Sequence, residues 1–170
     1  MTDKVMICTQ MYNSADMRFI NQLINVLAAQ RDDIQLGVNL TQTSCIDVGL
    51  SIAVDEFLAT DMDYLFSLDY DILFNPYQIK NQDPCAVIRQ LIAGCKETGG
   101  VVGGPYIRRG CKDQLCVVPM KAQPINMGTG GGLIEVRYLP TGCEMIPRKV
   151  LEKVIDGKEK ARYDTNTWIY

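Results

Sequence analysis

Three short apolar runs, each followed by an amphipathic stretch, constrain the fold of this chain more than any other feature. Lys4-Val5-Met6-Ile7-Cys8-Thr9 is apolar on both faces, as a strand inside a parallel sheet is. Met17, Ile20, Leu23, Ile24, Leu27 and Ala28 then recur at helical spacing. Ile34–Val38 predicts a second strand, and Asn39–Ser44 a polar loop. Ser44-x-x-Asp47 matches a capping box, behind which Leu50, Ala53, Val54, Phe57 and Leu58 form one buried stripe. Tyr64–Leu68 predicts a third strand. Asp83-Pro84 supplies an N-cap and a first-turn proline for a third helix, which Gly99-Gly100 ends. The order β-α-β-α-β-α implies an α/β fold with a parallel sheet and right-handed crossovers. Ligands of such sheets bind outside the carboxyl ends of the strands. On this reading Thr9, Asn39 and Asp69 all lie at those ends, so that three loops meet in one crevice.

The second half of the chain has a different character. Val101–Gly104, Leu115–Pro119, Leu133–Leu139 and Cys143–Ile146 predict short strands, and Pro147–Ile155 predicts a helix closed by Gly157. At 170 residues the chain has the length of one domain, 1–170. Its 47% hydrophobic content and net charge of −3 exclude a disordered chain and argue against a nucleic-acid surface. No uncharged stretch approaches the ~20 residues of a membrane span. The N-terminus carries no secretory signal pattern.

Histidine is absent, which excludes Ser-His-Asp and Cys-His catalysis and His-based zinc sites. Chemistry must rest on carboxylates, Tyr, Lys, Cys or a metal held by oxygens. The seven cysteines form no CxxC pair, and their odd number fits a disulfide framework poorly. Free thiols acting as small hydrophobes in a reducing, cytoplasmic setting are the expectation.

Asp69-Tyr70-Asp71 follows the third strand directly. Each carboxylate there opposes ionisation of the other, and a divalent cation removes that penalty. The plain alternative is a solvated acidic turn. The segment from Tyr64 to Pro76 resembles the DxD region of GT-A glycosyltransferases, in particular the family-2-like group. Val101-Val-Gly-Gly-Pro-Tyr106 resembles the strand after the DxD helix in that group. Leu139-Pro-Thr-Gly-Cys-Glu-Met-Ile-Pro-Arg148 resembles its later strand, and the order and spacing of the three segments agree. Together they cover roughly residues 1–156.

The resemblance implies a GT-A-like, three-layer α/β/α sandwich with a mostly parallel central sheet. Residues 1–100 would form a nucleotide-binding half. Residues 101–170 would form an acceptor-side half, shortened against many relatives. It implies a glycosyltransferase that moves a sugar from a nucleotide-diphosphate sugar, a UDP-sugar foremost, to an unknown acceptor. Asp69 and Asp71 would hold Mn²⁺ or Mg²⁺, with Asp69 alternatively on the donor's ribose. Thr9, Gln10 and Tyr12 would border the nucleobase, and Asn39 and Asp47 would close its other side. Tyr106 and Arg108 would face the donor, and Thr141 and Gly142 would lie near the sugar. Glu144 and Asp164 are the candidates for the catalytic base. Two departures favour an alternative, a catalytically weak sugar-nucleotide-binding module of the same fold. The helix segment Leu50–Phe57 lacks the Arg, and the chain lacks the late His, of many relatives. A nucleotidyltransferase is a third reading, but Thr9–Ser14 lacks the Gly-rich basic loop it requires. Gly128-Thr-Gly-Gly-Gly132 reads as a turn or flap, since it neither follows the first strand nor opens a helix.

Overall fold

The computed structural model describes residues 2–12, 16–73, 83–107, 110–111, 114–120 and 132–165, with the backbone alone at 119 and 158–165. Strands β1 (Asp3–Met11), β2 (Ile34–Gln42) and β3 (Tyr64–Leu68) alternate with helices α1 (Met17–Ala28), α2 (Ile46–Leu58) and α3 (Ala86–Thr98). Then follow β4 (Val102–Gly103), β5 (Val118–Pro119), β6 (Val136–Tyr138), β7 (Cys143–Pro147) and α4 (Arg148–Thr165). The main sheet has the order β2-β1-β3-β7-β4, and β5 pairs with β6 in a separate ribbon. β1 pairs in parallel with both β2 and β3. β7 runs antiparallel to β3 on one side and to β4 on the other. The fold is therefore α/β with a mixed sheet, in which a strand from the second half of the chain enters between β3 and β4.

Side chains alternate across each strand, which divides the core in two. Val5, Ile7, Phe66, Leu68, Cys143 and Met145 pack with Phe19, Leu23 and Val26 of α1 and with Ile88, Leu91, Ile92 and Cys95 of α3. Met6, Cys8, Leu65 and Ile146 pack on the other face with Ala53, Val54 and Phe57 of α2 and Leu151 of α4. Helices thus cover both faces, each through the apolar stripe visible in its sequence.

Several local expectations are corrected. β1 and β2 run on together as far as Met11 and Gln42, so Asn39–Gln42 is strand and not loop. The Ser44–Asp47 capping box does not form. Cys45 is the N-cap of α2 and makes no side-chain cap bond, while the Thr43 hydroxyl accepts from Cys45 N at 3.1 Å. Asp83 Oδ1 accepts from Cys85 N at 3.0 Å, one turn before α3 begins. Gly99 ends α3 in the left-handed conformation, φ 71°, as expected of a C-cap glycine. Gly157 does not end α4, which continues to Thr165.

Arg148, the first residue of α4, ties the layers together. Its guanidinium donates to Met62 O (2.7 Å), Thr60 O (2.8 Å) and Phe57 O (3.0 Å) and lies 4.5 Å from the centre of the Phe57 ring. These carbonyls end α2 and lead into β3, where the helix dipole favours a cation. All seven cysteines are unpaired, four of them buried. Cys85 and Cys95 donate to Val26 O and Met145 O, each at 3.4 Å. Among the described residues no helix is long and apolar enough to cross a membrane.

Candidate functional site

The site is built where β3 ends. Asp69 N donates to Gly142 O at 2.9 Å, extending the β3–β7 ladder by one bond. Ile72 N then donates to Asp69 O at 3.0 Å and closes a tight turn over Asp69–Ile72. Tyr70 and Ile72 pack against the α1/α3 core, and the Gln22 amide donates to Ile72 O at 3.4 Å. Alternation around this anchored turn leaves both Asp69 and Asp71 exposed. The apolar partners of the turn thus explain why two carboxylates sit at the mouth of the sheet.

Beside the turn, on the α2 face, lies a small pocket. Gln10, Ser67, Asp69 and Glu144 give it a polar side, and Cys8, Leu50, Ala53 and Ile146 an apolar one. Glu144, in β7 opposite Ser67, is 7% exposed. Burial, and then the charge of Asp69, raise its carboxyl to about 7. That value suits proton exchange near neutrality. Tyr106 approaches from the segment after β4. Gly104 N donates to Cys143 O at 3.0 Å, and Cys116 N donates to Tyr106 O at 2.8 Å, so the backbone is held on both sides of the ring. Burial and the nearby Asp69 push the Tyr106 phenol up to about 12.

The bare Cα of Gly142 leaves room for two side-chain ends. A Cβ on it would stand 2.5 Å from Asp69 Oδ2 and 2.6 Å from Tyr106 Oη. Thr141, the preceding residue, is half-buried in the same turn. The structure therefore brings Asp69, Tyr106, Gly142 and Glu144 together. Asp71 lies two residues along the turn.

Other predicted residues are placed elsewhere. Thr9 lies within β1, not at its end, and strand alternation turns it to the α1/α3 face, away from Glu144. It is buried, and its hydroxyl has no partner among the described residues. Gln10 faces α2: its amide fits between Ile46 O (3.1 Å) and Leu50 N (2.9 Å), with N donating and O accepting. Asn39 is inside β2 and donates to Glu56 of α2, while Thr41 Oγ1 donates to Asn39 Oδ1 at 3.1 Å. Tyr12 is exposed just past β1, and Asp47 is exposed in the first turn of α2. Asp164 is near the end of α4, where the backbone alone is described. Arg108, and all of the glycine run but Gly132, lie outside the described residues. Ser67 was missed by the sequence reading, although a hydroxyl inside an otherwise apolar strand was its signal.

Among the described residues no group of three or more His, Cys, Asp or Glu side chains converges on a metal position. Were a cation held here, the described residues would offer it the pair Asp69 and Asp71. That fits Mg²⁺ or Mn²⁺, ions commonly held by one or two carboxylates, with substrate phosphates and water completing the shell.

No protein-family model and no curated protein sequence matches the chain. Among solved structures, the crystal structure of A197 from STIV is similar, with a TM-score of 0.60 and 22% identity over 88% of this chain and 68% of that one. At that identity the likeness shows the α/β fold alone.

Proposed function

We propose that the chain is a GT-A-type glycosyltransferase that uses a nucleotide-diphosphate sugar, with UDP as the carrier, and a divalent cation at Asp69 and Asp71. The observation that carries this reading is the placement of the exposed Asp69–Asp71 turn beside a buried carboxylate, Glu144, at one mouth of the sheet. Helices on both faces, and four of the five main-sheet strands running in one direction, are consistent with the three-layer arrangement that the reading requires.

In this reading Asp69 and Asp71 orient the diphosphate. A bound cation would offset the charge that develops on the leaving nucleotide. Glu144, poised near neutrality, accepts the proton of the acceptor hydroxyl as the new glycosidic bond forms. Its apolar neighbours Leu50, Ala53 and Ile146 keep bulk water from that proton. Gln10 and Asn39 act indirectly, by holding α2 against the sheet. Asp164 has no argued part in this chemistry.

The test is release of UDP from a panel of UDP-sugars with Mn²⁺ present. Asp71→Ala is expected to abolish metal-dependent release with the circular dichroism spectrum unchanged. Release that is indifferent to Mn²⁺ and to Asp71 would contradict the proposal. Selective binding of UDP without release from any UDP-sugar would favour the binding-module alternative.

A further inference from the structure

β2 is an edge strand: β1 pairs with one side of it, and no strand pairs with the other among the described residues. Leu36 N donates outward, to the Gln30 side chain at 3.0 Å, whereas Thr43 N, just past the strand, turns inward to Met11 O at 3.3 Å. Alternation along the strand therefore points the N–H and C=O groups of Val38, Leu40 and Gln42 outward. Sheet edges are commonly blunted by charges, proline or bulges. The nine residues Ile34-Gln-Leu-Gly-Val-Asn-Leu-Thr-Gln42 include no charge and no proline, and they keep an unbroken register with β1.

The helices on both faces of the sheet turn apolar flanks toward the same edge. On α1, Gln22 donates to Ile72 O and Val26 O accepts from Cys85, so that flank faces β3 and α3. Met17 and Ile24 lie on the opposite flank, 68% and 57% exposed. On α2, Glu56 accepts from Asn39 of β2, which marks the flank nearest the edge. Ile52 and Val48 continue that flank one and two turns earlier, and both are exposed. Leu40 is 49% exposed between the two layers, on the α1 face of the strand.

The geometry points to this edge as the seat of a second copy of the chain, paired antiparallel through β2 about a two-fold axis at Leu40. Two observations select this occupant over a bare peptide strand. A two-fold axis sets the residues nearest it against themselves, so a self-pairing strand must avoid charge, and β2 carries none. An axis normal to the sheet also keeps each face on its own side. α1 then meets α1 of the second copy and α2 meets α2, which covers Met17, Ile24, Val48 and Ile52 together with Leu40. A single added strand would leave the four helix residues in water. Glu56, the charge on the α2 flank, is already engaged by Asn39 of its own chain.

The test is sedimentation equilibrium of the wild-type protein at micromolar concentration, beside Leu40→Lys and Ile52→Glu. Both positions are exposed, so the circular dichroism spectra should not change. The expected result is a dimer for the wild type and a monomer for each variant, since each places like charges near the axis. Hydrogen exchange of the wild type is the second readout. The Val38, Leu40 and Gln42 amides should exchange slowly in the dimer and fast in Leu40→Lys. A monomeric wild type overturns the inference and leaves the edge to a partner of another kind. A dimer whose Val38, Leu40 and Gln42 amides exchange fast also overturns it, whatever the variants do.

Discussion

Glu144 carries the clearest pH signature at the scale of single residues. Its carboxyl is raised from an ordinary 4.5 to about 7 by burial and by Asp69, so the folded chain holds this proton more tightly than the unfolded one. The stability it contributes is fully present below about pH 4.5 and is lost as pH rises through 7. A displacement of that size is on the order of 3 kcal/mol. Glu144→Gln should therefore leave stability unchanged at pH 4.5 and raise it at pH 8, in urea unfolding at both values. An equal effect at the two values would remove the raised carboxyl from the account. The same substitution should cut turnover by at least a hundredfold while UDP affinity changes little. An active Glu144→Gln would return this residue to a structural role. Gly142→Ala makes a second residue-scale test. Its Cβ would displace the ends of the Asp69 and Tyr106 side chains and no backbone, so it should cost about 1 kcal/mol or less while weakening Mn²⁺ binding. Asp69, Asp71 and Glu144 were legible as candidates because carboxylates at strand ends carry their own signal. The approach of Tyr106 to Gly142 was not, because a contact between segments separated by thirty-odd residues leaves no local pattern.

At the scale of elements, α2 is the piece whose seating matters most to the pocket. Its inner face supplies Leu50 and Ala53, its first turns rest on the Gln10 amide, and its last carbonyls are held by Arg148. Charge-assisted hydrogen bonds of this kind are each worth about 1.5–3 kcal/mol. Arg148→Ala should accordingly lower stability by about 3 kcal/mol, measured by chemical denaturation. Arg148→Lys, which keeps the charge and loses the planar fork, should recover less than half of that. A loss under about 0.5 kcal/mol would show that water replaces these contacts freely. Helix stripes and buried strands were readable here because their periods are local. Element ends were less so. The polar run Asn39–Gln42 reads as loop, yet β1 offers a full set of hydrogen-bond partners in register and holds it as strand. Gly157 reads as a stop, yet its φ stays out of the left-handed region and the helix passes through it.

For the molecule as a whole, the main outcome is that both halves of the chain contribute to one sheet and to one site. That β1, β2 and β3 run parallel followed from the alternation of strands and helices. The entry of β7 between β3 and β4 did not, because antiparallel pairing with a strand some 75 residues earlier has no signature in spacing alone. That entry sets Glu144 opposite Ser67 and Gly142 beside Asp69, and so creates the candidate site. The proposed function requires that this mouth bind a nucleotide diphosphate through a cation. The most direct measurement is calorimetric titration of the wild-type protein with UDP, GDP and ADP, each with and without Mn²⁺, with Asp71→Ala as the control. UDP is expected to bind in preference to GDP and ADP, only when Mn²⁺ is present, and the control is expected not to bind. Binding of no nucleotide, or binding indifferent both to Mn²⁺ and to Asp71, would contradict the proposed function.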